Sequence, residues 1–580
     1  MIPHATISEA LARAAAVDRG IRAIEHDGRS LLIPYATLLD ESLAVAGALH
    51  ARGLTPGDAD ATVALVIPDV ADFVRAFFGI SAAGLVPVPL CPPTQAGDLP
   101  TFARQSRHIF EASRARAVVT SRDVAPLLDL PVTPAPPKLA QNSPGGLKVL
   151  DIDDLRGGPR LGAPVMVPMT KTALLQFTSG STAAPKGVVL THGNLHANVD
   201  AILGPQGLDV RSSDVGVSWL PLYHDMGLIG MLLSAVYSRN DSVIMSPVLF
   251  LKRPTAWLDA ISRYRGTVSF APNFAYELCL RRVKASQVAA LDLSCWRVAG
   301  CGAEPIRPDT LSAFADLFGP AGFQASSFMA SYGLAEHSLA VAMSCGGITV
   351  DTVDADRLVR RSLALPSANG SAYVVRLVAC GRAFPGHELR IVDEDGRPLP
   401  DRHVGTIVAR GPSVMQGYFA NDAATAEALR DGWLHTGDLG YLVDGQLFVC
   451  GRTKDLIIRQ GRKYHPPDLE SAIAELPGIR PSGIVVFGIN QIDAGDRVVA
   501  VLEARASIAS DDVVEQVRRR VRETAGLELD HVVVTPPGTI PRTTSGKVRR
   551  AETRERFEAG TLVAPHASKN DESSRQAESR

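Results

Sequence analysis

The sequence predicts an α/β protein: a large N-terminal domain of sheets and helices, followed by a small α+β domain. Three observations carry this. A chain of 580 residues is too long for one compact core. Strand-like and helix-like patterns alternate through its first hundred residues, as they do where helices cover a parallel sheet. Beyond residue 480 the pattern changes to two strand-like runs, a charged helix and another strand.

Taken in order, residues 38–51 read as an amphipathic helix. Residues 62–67 form a short β-rich run closed by Pro68. Residues 70–83 read as a helix and 85–90 as a strand. Residues 131–146 (PVTPAPPKLAQNSPGG) are rich in Pro and Gly and read as a surface loop. The α/β rhythm then continues to about Gly451. In the last part IVVFGI (484–489) and RVVAVLEA (497–504) read as strands, 511–524 as a helix and 531–535 as a strand. The polar, aperiodic stretch 568–580 is expected to be disordered.

Hydrophobic residues make up 46% of the chain and its formal net charge is −2, so nucleic acid is not expected as a partner. The seven cysteines are scattered with no C-x-x-C and read as reduced core thiols of a cytoplasmic protein. Glu9 and Arg13 stand where a signal peptide needs an apolar run. The apolar stretch 76–91 is broken by Pro87 and Pro89, and 219–237 carries His224 and Asp225. Neither is expected to span a membrane.

The strongest chemical signal is TSGSTAAPKG (178–187), set between the apolar runs 173–177 and 188–190. A Ser/Thr/Gly-rich loop between strands can offer N–H groups and hydroxyls to phosphate oxygens, and Lys186 adds positive charge. It is not the G-x-x-x-x-G-K-[ST] loop, because Gly187 and Val188 follow the lysine. His192 and His196 share a helix spacing but lack a third ligand, and read as polar residues at a helix start.

The segment 178–188 resembles the phosphate loop of the adenylate-forming enzymes, the superfamily of acyl-CoA synthetases, peptide-synthetase adenylation domains and luciferases. Further segments match in order: GAEP (302–305), YGLAE (332–336), WLHTGDL (433–439), GRTKDLII (451–458) and PRTTSGK (541–547). The resemblance implies ATP and Mg²⁺ as cofactors. Thr178, Ser179, Gly180, Ser181, Thr182 and Lys186 would hold the β- and γ-phosphates. Gly302, Ala303 and Glu304 would wall the adenine, with Tyr332 stacking on it beside Gly333. Glu336 would ligate Mg²⁺, Asp438 and Arg452 would hold the ribose, and Lys547 would reach the carboxylate and α-phosphate. Lys454 falls at the family's hinge. A large domain would span 1–453 and a small, mobile lid domain 454–560, with a disordered tail over 561–580.

The segment WLPLYHDMGLIG (219–230) resembles the fatty acyl-AMP ligase branch, which loads fatty acids onto acyl carrier proteins. By that resemblance His224 lies near the α-phosphate and the mouth of an acyl tunnel. VACGRAFPG (378–386) and Ala335 agree with the same branch. Residues 346–376 resemble its insertion, thought to restrain domain movement and disfavour CoA. One segment departs: GRKYHPPDLE (461–470) has Lys-Tyr-His at 463–465 where Asn and then His-Tyr would be expected. The implied reaction joins a fatty acid to AMP, releases pyrophosphate, then passes the acyl group to a phosphopantetheine thiol. The short stretch after Lys547 leaves no room for a carrier domain, so a separate carrier is expected. An acyl-CoA synthetase, and a non-catalytic ATP-binding assembly subunit, stay open as alternatives.

Overall fold

Short β-branched runs, each followed by a helix, pair in parallel through the N-terminal part of this computed structural model. It describes residues 4–57, 61–93, 99–128, 147–178, 185–367, 374–459, 462–477, 479–489, 496–504, 511–542 and 547–562. The loop expected at 131–146, the tail beyond residue 562 and Ser179–Thr182 of the phosphate loop lie outside them.

Among the described residues the main sheet runs from Arg382–Ala383 through Ala340–Met343, Phe328–Gly333, Val298–Cys301, Val268–Ala271, Val215–Ser218, Asp241–Met245 and Gly20–Ile24 to Ser30–Pro34. From Phe328–Gly333 to Gly20–Ile24 every pairing is parallel. A second parallel sheet joins Val86–Pro89, Thr62–Val66, Ala117–Thr120 and Lys148–Asp151. The helix Val70–Ala82 is capped by Asp69, whose carboxylate accepts from the Asp72 N–H. It packs on Tyr35–Ala51 so closely that a Cβ on Gly79 would lie 2.4 Å from Val45 Cγ1. That close approach corrects the expectation of an amphipathic helix at 38–51. Residues Ser42, Leu43 and Val45 to Leu49 are all buried, because neighbouring helices cover the helix on more than one side.

An aromatic cluster anchors the main sheet. Trp257, Trp296, Tyr276 and Phe314 are fully buried, and their rings meet edge to face at centroid distances such as 5.2 Å for Trp257–Trp296 and 5.0 Å for Tyr276–Phe314. Such pairs add about 0.5–1.5 kcal/mol each beyond area burial. They hold the strands Val268–Ala271, Val298–Cys301 and Phe328–Gly333 whose C-terminal ends carry Asn273, Gly302 and Tyr332. In open parallel sheets ligands bind beyond those ends.

An antiparallel sheet follows, formed by Glu388–Val392, Gly405–Arg410, Leu429–Arg430, Trp433–Val443 and Gln446–Arg452. The expected insertion holds the strand Val350–Asp354 and the helix Ala355–Arg361, and at its far end the strand Val374–Val378 pairs antiparallel with Val350–Asp354. Its Val353, Leu358 and Ala364 share one buried cluster with Tyr441, Phe448 and Cys450.

The small C-terminal domain has its own cores. Ile484–Ile489 pairs antiparallel with Arg497–Glu503, which pairs parallel with His531–Thr535 across the helix Asp511–Ala525. Val359 of the insertion packs against one of these cores.

Cys279, Cys301, Cys380 and Cys450 are buried thiols, but Cys345, just ahead of the insertion, is exposed and departs from the core-thiol expectation. Among the described residues no helix is long and apolar enough to cross a membrane. The apolar stretch 219–237 instead turns at Pro221 and continues as the π-helix Met226–Leu233 and the helix Ser234–Ser238. π-Helical turns are rare and gather at functional sites.

Candidate active site

The carboxyl ends of the central strands, the antiparallel sheet and the small domain enclose a cleft of about 1830 Å³. Its walls carry Thr178, Lys186, His224, Ala303, Glu304, Tyr332, Gly333, Glu336, Asp438, Arg452, Lys454 and Lys547, so residues far apart in sequence converge there. Gly302 lies just behind this wall.

The phosphate-loop segment is carried by a hairpin. Thr172–Thr178 pairs antiparallel with Lys186–Thr191, and Thr178 stands opposite Lys186. The Lys186 ammonium sits 4.9 Å from the centre of the Tyr418 ring, a cation–π distance. Tyr418 Oη in turn donates to Glu336 Oε1 at 2.7 Å. Burial pushes the Glu336 carboxyl above its ordinary range, and the Tyr418 hydroxyl pulls against that shift. Tyr418 therefore joins the lysine of one segment to the carboxylate of another. Sequence reasoning missed it, because the strand Gly417–Tyr418 carries no local motif.

The segment 302–304 is shaped by close approach. A Cβ on Gly302 would lie 2.5 Å from Ser331 Oγ and 2.9 Å from the Ser331 carbonyl oxygen, so only glycine fits. Ala303 adopts a left-handed φ of 70°, which costs a side-chain-bearing residue about 1–2 kcal/mol. Glu304 Oε1 accepts from the Phe274 N–H at 2.5 Å. Burial raises its carboxyl to about 7, opposed by that N–H and by the Lys547 ammonium.

Tyr332 and Asp438 form one unit. Tyr332 Oη donates to Asp438 Oδ2 at 2.7 Å and Arg452 Nε donates to Asp438 Oδ1 at 3.1 Å. The second contact follows from register, since Asp438 and Arg452 stand opposite each other on antiparallel strands. A β-irregularity between Tyr332 and Gly333 turns the chain there. A Cβ on Gly333 would lie 2.0 Å from the Leu339 carbonyl oxygen, so a side chain is excluded. Lys454 is exposed on the single turn Thr453–Asp455 between the two domains.

Lys547 reaches the same cleft from the small domain. Burial lowers its pKa and Arg452 pushes the same way, while Asp225, Glu304 and Asp438 pull it up. Asp225 caps the π-helix by accepting from the Met226 N–H at 2.7 Å, and burial raises its carboxyl. Burial and the Lys547 ammonium lower the His224 imidazole to about 3, so it is neutral at physiological pH. A small apolar cavity opens from this point, lined by Met226, Met231, Phe270, Leu339 and Met343 as well as Asp225 and Lys547.

The departing segment also finds its place. Tyr464 lies in the small-domain core. Lys463 Nζ lies 3.7 Å from Glu394 on the other side of the cleft. His465 is buried beside Gly451 and burial lowers it to about 4. His192 opens the helix His192–Leu203 as expected and His196 follows one turn later, but both are buried, because the N-terminal segment covers them. His192 Nδ1 accepts from the Ile7 N–H, and the His4 and His196 ring centres lie 4.5 Å apart.

The family profile described as AMP-binding enzyme matches residues 11–419, and one described as Disco-interacting protein 2-like, AMP domain, matches 454–567. A putative acyl-CoA synthetase of Caulobacter vibrioides is 38% identical over 564 residues, covering 96% of each chain. The medium-chain-fatty-acid–[acyl-carrier-protein] ligase JamA of Moorena producens is 34% identical, covering 86% of each. A solved structure from work on the fatty acyl-adenylate ligases of E. coli and L. pneumophila has a TM-score of 0.88 at 36% identity, covering 97% of this chain and 99% of that one. With matches of this extent, the chain belongs to the AMP-binding enzyme family.

Proposed function

We propose that this enzyme joins a fatty acid to AMP at the expense of ATP, and then passes the acyl group to the phosphopantetheine thiol of a separate carrier protein. The observation that carries the reading is the meeting of Lys547, the Asp438–Arg452–Tyr332 unit and an apolar cavity at one point of the cleft. Names of relatives such as JamA support it.

The carboxylate of the fatty acid attacks the α-phosphorus, and pyrophosphate leaves. Negative charge builds on the α-phosphoryl oxygens, and Lys547 is aimed from the small domain to stabilise it as a point charge. Asp438 is suited to accept from the ribose hydroxyls, with Arg452 fixing its carboxylate. Lys186 faces the polyphosphate. Glu336 fits a divalent cation, because a carboxylate that burial pushes toward protonation gains from a nearby positive charge. When bound, Mg²⁺ would neutralise phosphate charge there. The apolar cavity takes the first carbons of the chain and excludes water from the new mixed anhydride.

A second reading, transfer to free CoA, is favoured by the name of the Caulobacter relative. ATP–pyrophosphate exchange across acids of graded chain length tests the first half-reaction. Side-by-side transfer to CoA and to a phosphopantetheinylated carrier protein tests the second. Exchange with no acid would sink the proposal, and abundant acyl-CoA with no acyl-carrier would replace it by the second reading.

A further inference from the structure

The seam between the domains carries a connected set of polar contacts that the chemistry above does not use. On the large domain, Glu277 lies on the helix Asn273–Arg282 and is buried. Arg307 follows the 302–304 wall, its own N–H fixed by Asn273 Oδ1 at 3.0 Å. On the small domain, the turn Pro481–Gly483 meets both. Ser482 Oγ donates to Glu277 Oε1 at 3.3 Å, and Arg307 Nη2 donates to the Pro481 carbonyl oxygen at 3.5 Å. The same turn continues inward, since the Ser482 carbonyl accepts from Arg542 Nη2. Arg542 pairs in turn with Val548 by a β-bridge, and the Arg549 N–H donates to the Pro541 carbonyl at 2.9 Å. Lys547 adjoins Val548 of this bridge. A continuous path thus runs from Glu277 through Ser482 and Arg542 to Lys547.

We infer that Glu277 and Ser482 form a latch that positions Lys547 for adenylation, and that the latch opens when the small domain turns away for thiol transfer. This rests on the adenylation reading above. Glu277 touches no reacting atom, so it is a positioning residue. Its second role is charge balance. Arg281, Arg480 and Arg542 crowd the seam, and burial and mutual repulsion lower Arg281 and Arg542. Within the small domain Glu503 lies 3.7 Å from Arg480 and 3.6 Å from Arg542 and pulls Arg542 back up, with Glu277 adding to it, while Glu277 is the carboxylate that pulls Arg281 up. Glu277 also lies 3.6 Å from Arg281 Nε. Without it the arginines of the two domains repel across the seam and the open arrangement gains.

The test uses the full chain as wild type, Glu277→Ala, Ser482→Ala and Glu277→Gln. Acyl-AMP formation from ATP and fatty acid is measured beside consumption of supplied acyl-adenylate by pantetheine thiol. A second readout is the dye-to-dye distance between exposed Cys345 and a cysteine introduced at exposed Glu523. Losing a hydrogen bond to a charged acceptor should slow adenylation roughly tenfold in both alanine variants. Thiol transfer should be unchanged or faster, and the dye distances should shift toward the open population. Glu277→Gln, which keeps an acceptor for Ser482 but not the charge, should recover part of the adenylation rate and leave the dye distance between those of wild type and Glu277→Ala. Equal losses in both half-reactions, or an unshifted dye distance in Glu277→Ala, would overturn the latch. A wild type that adenylates no acid defeats the adenylation reading instead, while the dye distance still decides the latch.

Discussion

Val359 offers a single-residue probe of what holds the small domain in this orientation. It lies on the insertion helix Ala355–Arg361, half-buried against the small-domain core that contains Ile457, Tyr464 and Leu469. Complete burial of a valine is worth about 1.5–3 kcal/mol, so a half-buried contact contributes about 1 kcal/mol. That corresponds to about a fivefold change in the equilibrium between orientations. Val359→Asp removes the contact and would force a carboxylate against apolar surface, so the shift should be at least that large. If this orientation opposes transfer to free CoA, the ratio of acyl-CoA to acyl-AMP should rise about fivefold or more. Mass spectrometry of one reaction containing ATP, fatty acid and CoA measures both products. An unchanged ratio, with an unchanged thermal melt, would refute the idea that the insertion restrains the lid. Deleting 346–376 is a poorer test. It would strip Val353, Leu358 and Ala364 from the core they share with Tyr441, Phe448 and Cys450, and so would unfold the antiparallel sheet as well as free the lid.

Lys547→Ala should slow acyl-AMP formation about 10²-fold or more, because one charge contact to the transition state is lost; near-normal rates would remove Lys547 from that role. Glu336→Gln should raise the Mg²⁺ concentration needed for half-maximal pyrophosphate release, and an unmoved titration would make Glu336 structural. Adenylation should fall at alkaline pH with an apparent pKa below the ordinary lysine value of 10.5, because burial lowers Lys547 and only its ammonium form is useful. That limb belongs to kcat/KM, which reports the free enzyme; the limb of kcat should lie at higher pH, since the negative charge of bound ATP holds the proton on, and a kcat/KM limb at or above the ordinary lysine value would contradict the assignment.

The alternating pattern of the first hundred residues was enough to expect parallel strands. Thr62–Val66 and Val86–Pro89 pair that way because their β-branched and apolar residues can be buried on both faces. The strand His531–Thr535 ends where its residues suggested, since Pro536 cannot continue the ladder. The helix at 38–51 misled, because a pattern that alternates on paper can still be covered from several sides by neighbours. In the site, Lys186, Asp438 and Lys547 were legible only through ordered motifs. Tyr418, Asp225 as a helix cap, and Glu277 were not, because each acts through a partner distant in sequence, such as Glu336 for Tyr418. No local spacing records such a meeting.

We propose that the charge balance of the cleft favours one movable cation, Lys547. Asp225, Glu304, Glu336 and Asp438 all face it, and burial pushes Asp225, Glu304 and Glu336 toward their neutral forms. Lys547 is the small-domain cation that pulls Asp225 and Glu304 back toward ionisation. Arg452, fixed on its strand opposite Asp438, stays with the large domain. Without Lys547 beside it, the Glu304 carboxyl loses one of the groups that hold it toward ionisation and shifts further toward its neutral form. The bound nucleotide reverses the preference, because polyphosphate adds negative charge that only a returning cation offsets without proton uptake. ATP therefore favours the orientation with Lys547 inside. Loss of pyrophosphate removes much of that charge and lowers the cost of turning away. On this proposal, product release and lid rotation are coupled through the same few carboxylates.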